Sequence, residues 1–381
     1  MTPEEFRLLC SAPVREAIAA NRHRDPLAVA LDRHVPEARL VATQLKYLAR
    51  AATKLPSYAA AGCILPSRAF EQASGEACAA AKRIEGERLL DLTCGLGVDV
   101  LYLSRRFREV VTLERDPVLA AVARENFDRL GIRNVEVIAE AAESYLAREG
   151  LRFDWIYADP DRRSAEGRKL VRLEDCSPDI VALLPRLRQV APRLCLKNSP
   201  LFDVDEAFRL FPESSVEVLS AAGECKEVVI CDDRTGPRLT ATALGLGSFT
   251  ASPADPAPPE APPFDPACYR WLVIPDVTLQ KARLVRRALH GRADCWSENG
   301  YGFAAERPEG VIGRIAEIDR IEPFDPKALR RELKGRGLDL LKRDFPTPLE
   351  ELRKKLGARA GDEVRIALTK IGGRSWSIRL K

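Results

Sequence analysis

The sequence predicts an α/β chain: a parallel sheet with helices on both faces, an N-terminal helical region and a C-terminal α+β module. Three observations predict it. From 86 to 248, strand-like apolar runs alternate with helical patterns, which implies parallel strands joined by crossover helices. One such run, Arg88 to Asp91, breaks into Thr93-Cys94-Gly95-Leu96-Gly97 and restarts as an apolar helix near Val98. Residues 1–85 carry helical patterns only, and a new alternation begins after a stretch at 250–267 with seven prolines. The expected organisation is 1–85 helical, 86–249 the main sheet domain, 250–267 a semi-rigid linker, 268–325 a small α+β (ferredoxin-like) module and 326–381 a basic domain.

Composition narrows the function classes. The 381 residues include ten scattered cysteines without a CxxC pair and three histidines, so no structural zinc or other metal site is expected, and a reducing compartment is. The start is acidic and lacks a long apolar run, so neither a signal peptide nor a membrane span is expected, and a cytoplasmic protein is. The net charge of +4 decides little, but residues 334–381 hold 13 Lys/Arg against 6 Asp/Glu.

Prolines at 13, 26, 36, 56 and 66 divide the first region into short helices. The passage 64–83 predicts a helix from Pro66-Ser67, with Glu71, Gln72, Ser74 and Glu76 within two turns. It reads either as a solvated face or as a lid over one end of a ligand. Strand one, 88–92, leads into the glycine turn. There backbone N–H groups and a positive helix end point at one spot, which suits a nucleotide-like ligand. The third glycine of a dinucleotide fingerprint is missing, and Asp99 stands near its place. An aspartate there caps the helix but repels a pyrophosphate, so the ligand has little or no phosphate. Asp91 suits an amino group or a cation. Strand two, 109–114, ends in Glu114, placed to take two ribose hydroxyls. A helix at 117–130 and strand three at 134–138 follow, then Glu140. Strand four, 153–158, runs into Asp159-Pro160-Asp161-Arg162-Arg163. Strand five, 193–197, ends in Lys197 and keeps Cys195 inside, where a free cysteine packs. Strands six and seven, 215–219 and 226–231, form a hairpin.

The stretch 88–99 resembles motif I of the class I S-adenosylmethionine (SAM) dependent methyltransferases. That resemblance implies a Rossmann-like seven-stranded sheet with an antiparallel last strand. It implies SAM held by Asp91, Thr93, Gly95, Gly97, Asp99 and Glu114, with Glu140 at the adenine amine and Gln72 and Glu76 over the methionine end. Asp159-Pro160 resembles motif IV, although Asp161 and Arg162 replace the second proline and the aromatic of the amine methyltransferases. Asp159 is then the orienting group or base, with Pro160, Arg162 and Lys197 beside it. RNA uracil-5 methyltransferases are similar at this motif but need a cysteine nucleophile after strand five, where this sequence has Asn198-Ser199-Pro200.

Beyond the linker, strands are expected at 269–274, 294–304, 311–318, 338–342, 363–369 and 374–380, with helices at 278–290, between 327 and the 338–342 strand, and at 347–356. The stretch LKRDFPTPLEELRKKLG resembles the THUMP-like domain at the C-terminus of a family of bacterial methyltransferases. In that family EQxSxExxA, DLTCGLGVD and DPxRR occur in this order, and all three are present. The resemblance implies RNA (tRNA or rRNA) as partner, by analogy with true THUMP domains. The candidate contacts are Arg163 and Lys169 in a basic loop with Arg168 and Arg172, then Lys342, Arg343, Arg353, Lys354 and Lys355. Direct transfer to a nucleobase or ribose atom is the expected reaction. A methyltransferase of a protein or small molecule, and a SAM-binding RNA-binding protein without turnover, are the alternatives.

Overall fold

The computed structural model describes residues 1–161 and 173–381. It divides into two compact units, 1–215 with 228–236, and 216–227 with 237–381. The first sheet is formed by β1 Gly86–Asp91, β2 Phe107–Leu113, β3 Val135–Ile138, β4 Trp155–Ala158, β5 Arg193–Asn198, β6 Ser215–Ala221, β7 Glu224–Asp232, β8 Arg238–Ala243 and β9 Gly247–Ala251. Its order is β3-β2-β1-β4-β5-β7-β6-β8-β9. The first five are parallel, and β7 runs antiparallel to β5. The order reverses between β1 and β4, and a ligand crevice lies outside the carboxyl ends at such a reversal.

The expected seven strands are present, and β8 and β9 extend them. In β8 the inward positions are Leu239, Ala241 and Ala243. Alanine carries little of the apolar alternation by which a strand is recognised, which is why this pair escaped the pattern.

In the first unit, β1 is buried on both faces through Leu89 and Leu90, as a central parallel strand must be. The helix Pro117–Arg129 starts on Asp116, whose carboxylate accepts from Val118 and Leu119 N–H. It lays Ala120, Ala123 and Phe127 on the sheet. Prolines at 3, 26 and 56 sit in first turns, where no N–H is missed. The N-terminal helices share one core with Leu96, Val98 and Leu101, so they pack directly on the glycine turn and the helix after it. The stretch 64–83 is two helices, Ser67–Gln72 and Glu76–Ala81. Ala73 and Gly75 take extended conformations between them, which stops the single helix that periodicity suggests.

In the second unit a seven-stranded sheet contains β10 Trp271–Pro275, β11 Gly302–Ala304, β12 Gly313–Pro323, β13 Gly337–Lys342, β14 Arg359–Ala360, β15 Val364–Ile371 and β16 Arg374–Leu380. Its order is β11-β10-β12-β16-β15-β13-β14. Long β12 pairs with β10 and with β16, so one sheet runs through both 268–325 and 326–381. The expected helix 278–290 is broken into Val277–Lys281 and Val285–Leu289. Arg283 adopts φ 54°, and Leu284 N–H donates back to Leu279 O at 2.8 Å. Leu279 and Leu284 are both buried, which completes a left-handed helix stop that an apolar period does not reveal.

The proline-rich stretch lies along this unit. Arg286 and Arg287 donate to the carbonyls of Pro259 and Asp255 at 3.0 and 2.8 Å, and Trp296 Nε1 donates to Pro262 O at 2.9 Å. Phe264 sits among the rings of Tyr269, Trp296, Phe303 and Trp376, with centroids 5.0–5.6 Å away. Among the described residues no helix is long and apolar enough to cross a membrane.

Candidate active site

The carboxyl ends of β1, β2, β4 and β5 are joined by side-chain hydrogen bonds. Register places Asp91 opposite Thr112 of β2 and Tyr157 of β4. Thr112 Oγ1 donates to Asp91 Oδ2 at 2.5 Å, and Thr93 donates to Oδ1 through N–H at 3.0 Å and through Oγ1 at 3.3 Å. Thr93 Oγ1 in turn accepts from Asp159 N–H at 2.7 Å. Lys197 Nζ donates to Asp159 Oδ2. Asp159 thus stands at the edge with its backbone fixed from β1 and its carboxylate fixed from β5, and Pro160 after it is buried.

Asp91 is 1% exposed, and burial pushes its carboxyl up to about 7 against the pull of Thr112 and Thr93. Its proton therefore comes and goes near neutrality.

The glycine turn is held from three sides. Cys94 N–H donates to Leu113 O at 2.8 Å, Gly95 N–H to Glu114 Oε2 at 2.9 Å, and Tyr58 O–H to Leu96 O at 3.0 Å. Gly95 and Gly97 have φ of 55° and 82°, where a side chain is strained. A Cβ on Gly97 would lie 2.5 Å from Phe127 Cζ, whereas nothing lies within 4 Å of one on Gly95. The turn therefore packs tightly behind Gly97 and opens at Gly95. Glu114 also accepts from Asp116 N–H at 2.9 Å, and burial raises its carboxyl above the ordinary value.

Several candidate residues differ from expectation. Asp99 does not cap its helix, since Gly97 is the cap. Its carboxylate accepts from Ser74 Oγ at 2.9 Å and pairs with Lys82 Nζ at 2.8 Å. Burial opposes that charge, but Lys82 and Lys197 outweigh it and hold Asp99 at about 2. Glu76 is buried and accepts from Ser57 N–H and Oγ, Tyr58 N–H and Tyr102 O–H. It fastens the N-terminal helices to the helix after the turn, so a role over the methionine end does not fit its contacts. Gln72 is exposed, and Glu71 points to Arg50. Glu140 pairs with Arg148 at 2.5 Å.

Arg162, Arg163 and Lys169 lie outside the described residues. On either side of them, Asp161 and Ser177 exchange two backbone hydrogen bonds of 2.9 and 3.0 Å. In the second unit Lys354 and Lys355 are exposed. Lys342 donates to Phe345 O at 3.0 Å, and Arg343 is half-buried, donates to Pro275 O at 3.1 Å, and has its pKa lowered by burial. Arg343 thus belongs to the unit's packing rather than to an open basic face, and Arg353 is likewise half-buried.

Ser74 was singled out with its neighbours in the 64–83 passage, whereas Thr112 and Lys82 were not singled out by the sequence. Lys82 had a signal: it lies four residues after Cys78 and three after Ala79, on the buried face of its helix.

The THUMP domain-like family model matches residues 313–381, and the model for conserved hypothetical protein 95 matches 72–173. An uncharacterized S-adenosylmethionine-dependent methyltransferase of Mycobacterium tuberculosis is 28% identical over 342 residues, 86% of this chain and 91% of that protein. A 23S rRNA (uracil(1939)-C(5))-methyltransferase of Stenotrophomonas maltophilia is 44% identical over 84 residues, 21% of this chain and 19% of that one. The crystal structure of a candidate methyltransferase from Porphyromonas gingivalis W83 superposes with TM-score 0.80 at 24% identity, over 100% of this chain and 99% of that one, and shares its fold. Over most of its length the chain is thus similar to an S-adenosylmethionine-dependent methyltransferase, and it ends in a THUMP-like segment at 313–381.

Proposed function

We propose that this enzyme transfers a methyl group from SAM directly to a nucleobase or ribose atom of RNA, tRNA or rRNA. The observation that carries this reading is Asp159, fixed by Thr93 and Lys197 at the crevice edge one strand from the glycine turn. In this reading Asp91, Thr93, Gly95, Gly97 and Asp99 hold the amino-acid end of SAM, Glu114 its ribose and Glu140 its adenine. The open space at Gly95 and the carboxylates around it fit a ligand that is cationic and free of phosphate. When bound, SAM supplies a methyl on a sulfonium whose departure leaves a neutral thioether.

Asp159 orients the accepting N–H or O–H and takes its proton, and Lys197 keeps the carboxylate in place. Pro160 and Arg162 complete the acceptor side in this proposal. Arg163, Lys169, Lys354 and Lys355 are the phosphate contacts in this proposal, with 86–249 as the catalytic domain. RNA is favoured by the THUMP-like segment and by the ribosomal RNA substrate named for one relative.

Carbon methylation through an enzyme thiol is not favoured. Cys195 is 1% exposed inside β5, with its Sγ 3.5 Å from Cys231 Sγ. That neighbour and burial push its thiol well above the ordinary range, so it is no thiolate nucleophile.

The test is transfer of radiolabelled methyl from SAM to total RNA of a strain lacking this gene, beside a protein extract of the same cells. Label in RNA is expected. Label confined to protein would replace the reading with a protein methyltransferase.

A further inference from the structure

A buried ion pair is a poor device for stability, because desolvating both charges largely offsets their attraction. Lys82 and Asp99 form such a pair, with side chains 2% and 12% exposed. Ser74 donates to the second Asp99 oxygen. Three segments thus bring a cation, an anion and a hydroxyl together beside the glycine turn. Asp99 is close enough to Asp91 and Lys197 for their charges to act on one another. The pair therefore stands at the sheet edge, within charge range of the ends of β1 and β5.

We propose that Ser74, Lys82 and Asp99 are the seat of the α-amino and α-carboxylate groups of SAM, with Lys82 and Ser74 taking the carboxylate and Asp99 the ammonium. This deepens the cofactor reading above and rests on it. Charge balance argues for a zwitterion. It enters a neutral pair and leaves a neutral site in which every ion faces an opposite one. A purely anionic ligand would leave Asp99 facing a like charge, and a nucleoside without the amino-acid end would have no use for a desolvated lysine. Ser74 and Lys82 are then positioning residues for the donor, and they come from the segment that precedes the sheet.

Two thioethers separate this proposal from a structural role. S-adenosylhomocysteine and 5′-methylthioadenosine share the nucleoside and differ in the amino-acid end. By titration calorimetry, Lys82→Met should weaken S-adenosylhomocysteine about ten- to hundredfold, as loss of a charge-assisted hydrogen bond does. Binding of 5′-methylthioadenosine should hold within about threefold, the scatter of measurements that lose no contact. Ser74→Ala, which leaves the ion pair in place, should give a smaller loss of the same kind. Unchanged S-adenosylhomocysteine binding, or equal weakening of both compounds, would overturn the assignment. Wild-type protein that binds neither compound would remove the cofactor reading itself, and this proposal with it.

Discussion

Asp159→Ala should lower methyl transfer to RNA by roughly 10²–10⁴-fold, the usual worth of a positioned acid–base group. Affinity for S-adenosylhomocysteine should stay within about threefold, because the lost carboxylate serves the acceptor rather than the donor. Lys197→Met should do nearly as much harm. Lys197 is 7% exposed and bonded to Asp159, so methionine would preserve its volume and free the carboxylate to turn. The two effects should not add, because each variant breaks the same pair. Label transfer by Asp159→Ala, Lys197→Met and the double variant measures this. A double variant whose loss is the product of the two single losses would show that the residues act separately.

The second large effect is a pH dependence set by Asp91. Its carboxyl titrates near 7 in the folded chain and near 3.9 in an unfolded one. Between those values the folded state keeps a proton that the unfolded state has released. The contribution of this residue to stability is therefore complete below about pH 4, falls as pH rises toward 7, and is lost above it. Asp91→Asn abolishes that slope. Relative to wild type, its stability should rise with pH by roughly 3 kcal/mol between pH 5 and pH 8, given about 1.4 kcal/mol per unit. Thermal unfolding of the ligand-free proteins across that range checks the sign. The same group should govern the cofactor. A cation held beside Asp91 expels its proton, so affinity for SAM should fall up to about tenfold per unit below pH 7 in wild type. The variant should bind weakly at every pH without that slope.

Much of this was legible in the sequence, and the reasons are physical. A buried parallel strand must be an apolar run, and a chain that leaves it for a ligand must turn through glycine, so β1 and the turn from Thr93 to Gly97 stand out. Strand-end acids at 91 and 114 follow from register with that turn. Hydrogen bonds between strands distant in sequence were not legible. Thr112 looks like any β-branched strand residue until pairing sets it opposite Asp91. Glu76 reads as a ligand acid until folding brings Ser57 and Tyr102 onto it. Arg343 counts toward a basic surface until Pro275 O takes its guanidinium. In each case a polar group found a protein partner that composition and spacing cannot see.

The stretch at 250–267 has the composition of a spacer, yet the carbonyls of Asp255, Pro258, Pro259 and Pro262 accept from Arg286, Arg287 and Trp296, and its Phe264 fills a ring cluster. It is thus an integral wall of the C-terminal half. A protein excised at 268 would bare the faces of Trp296, Phe303 and Trp376 to water and would be prone to stick to itself. A protease that favours open proline-rich chain would find these backbone groups occupied. This stretch is therefore no seam for dissecting the enzyme, and insertions that lengthen it would strain a packed surface instead of loosening a tether.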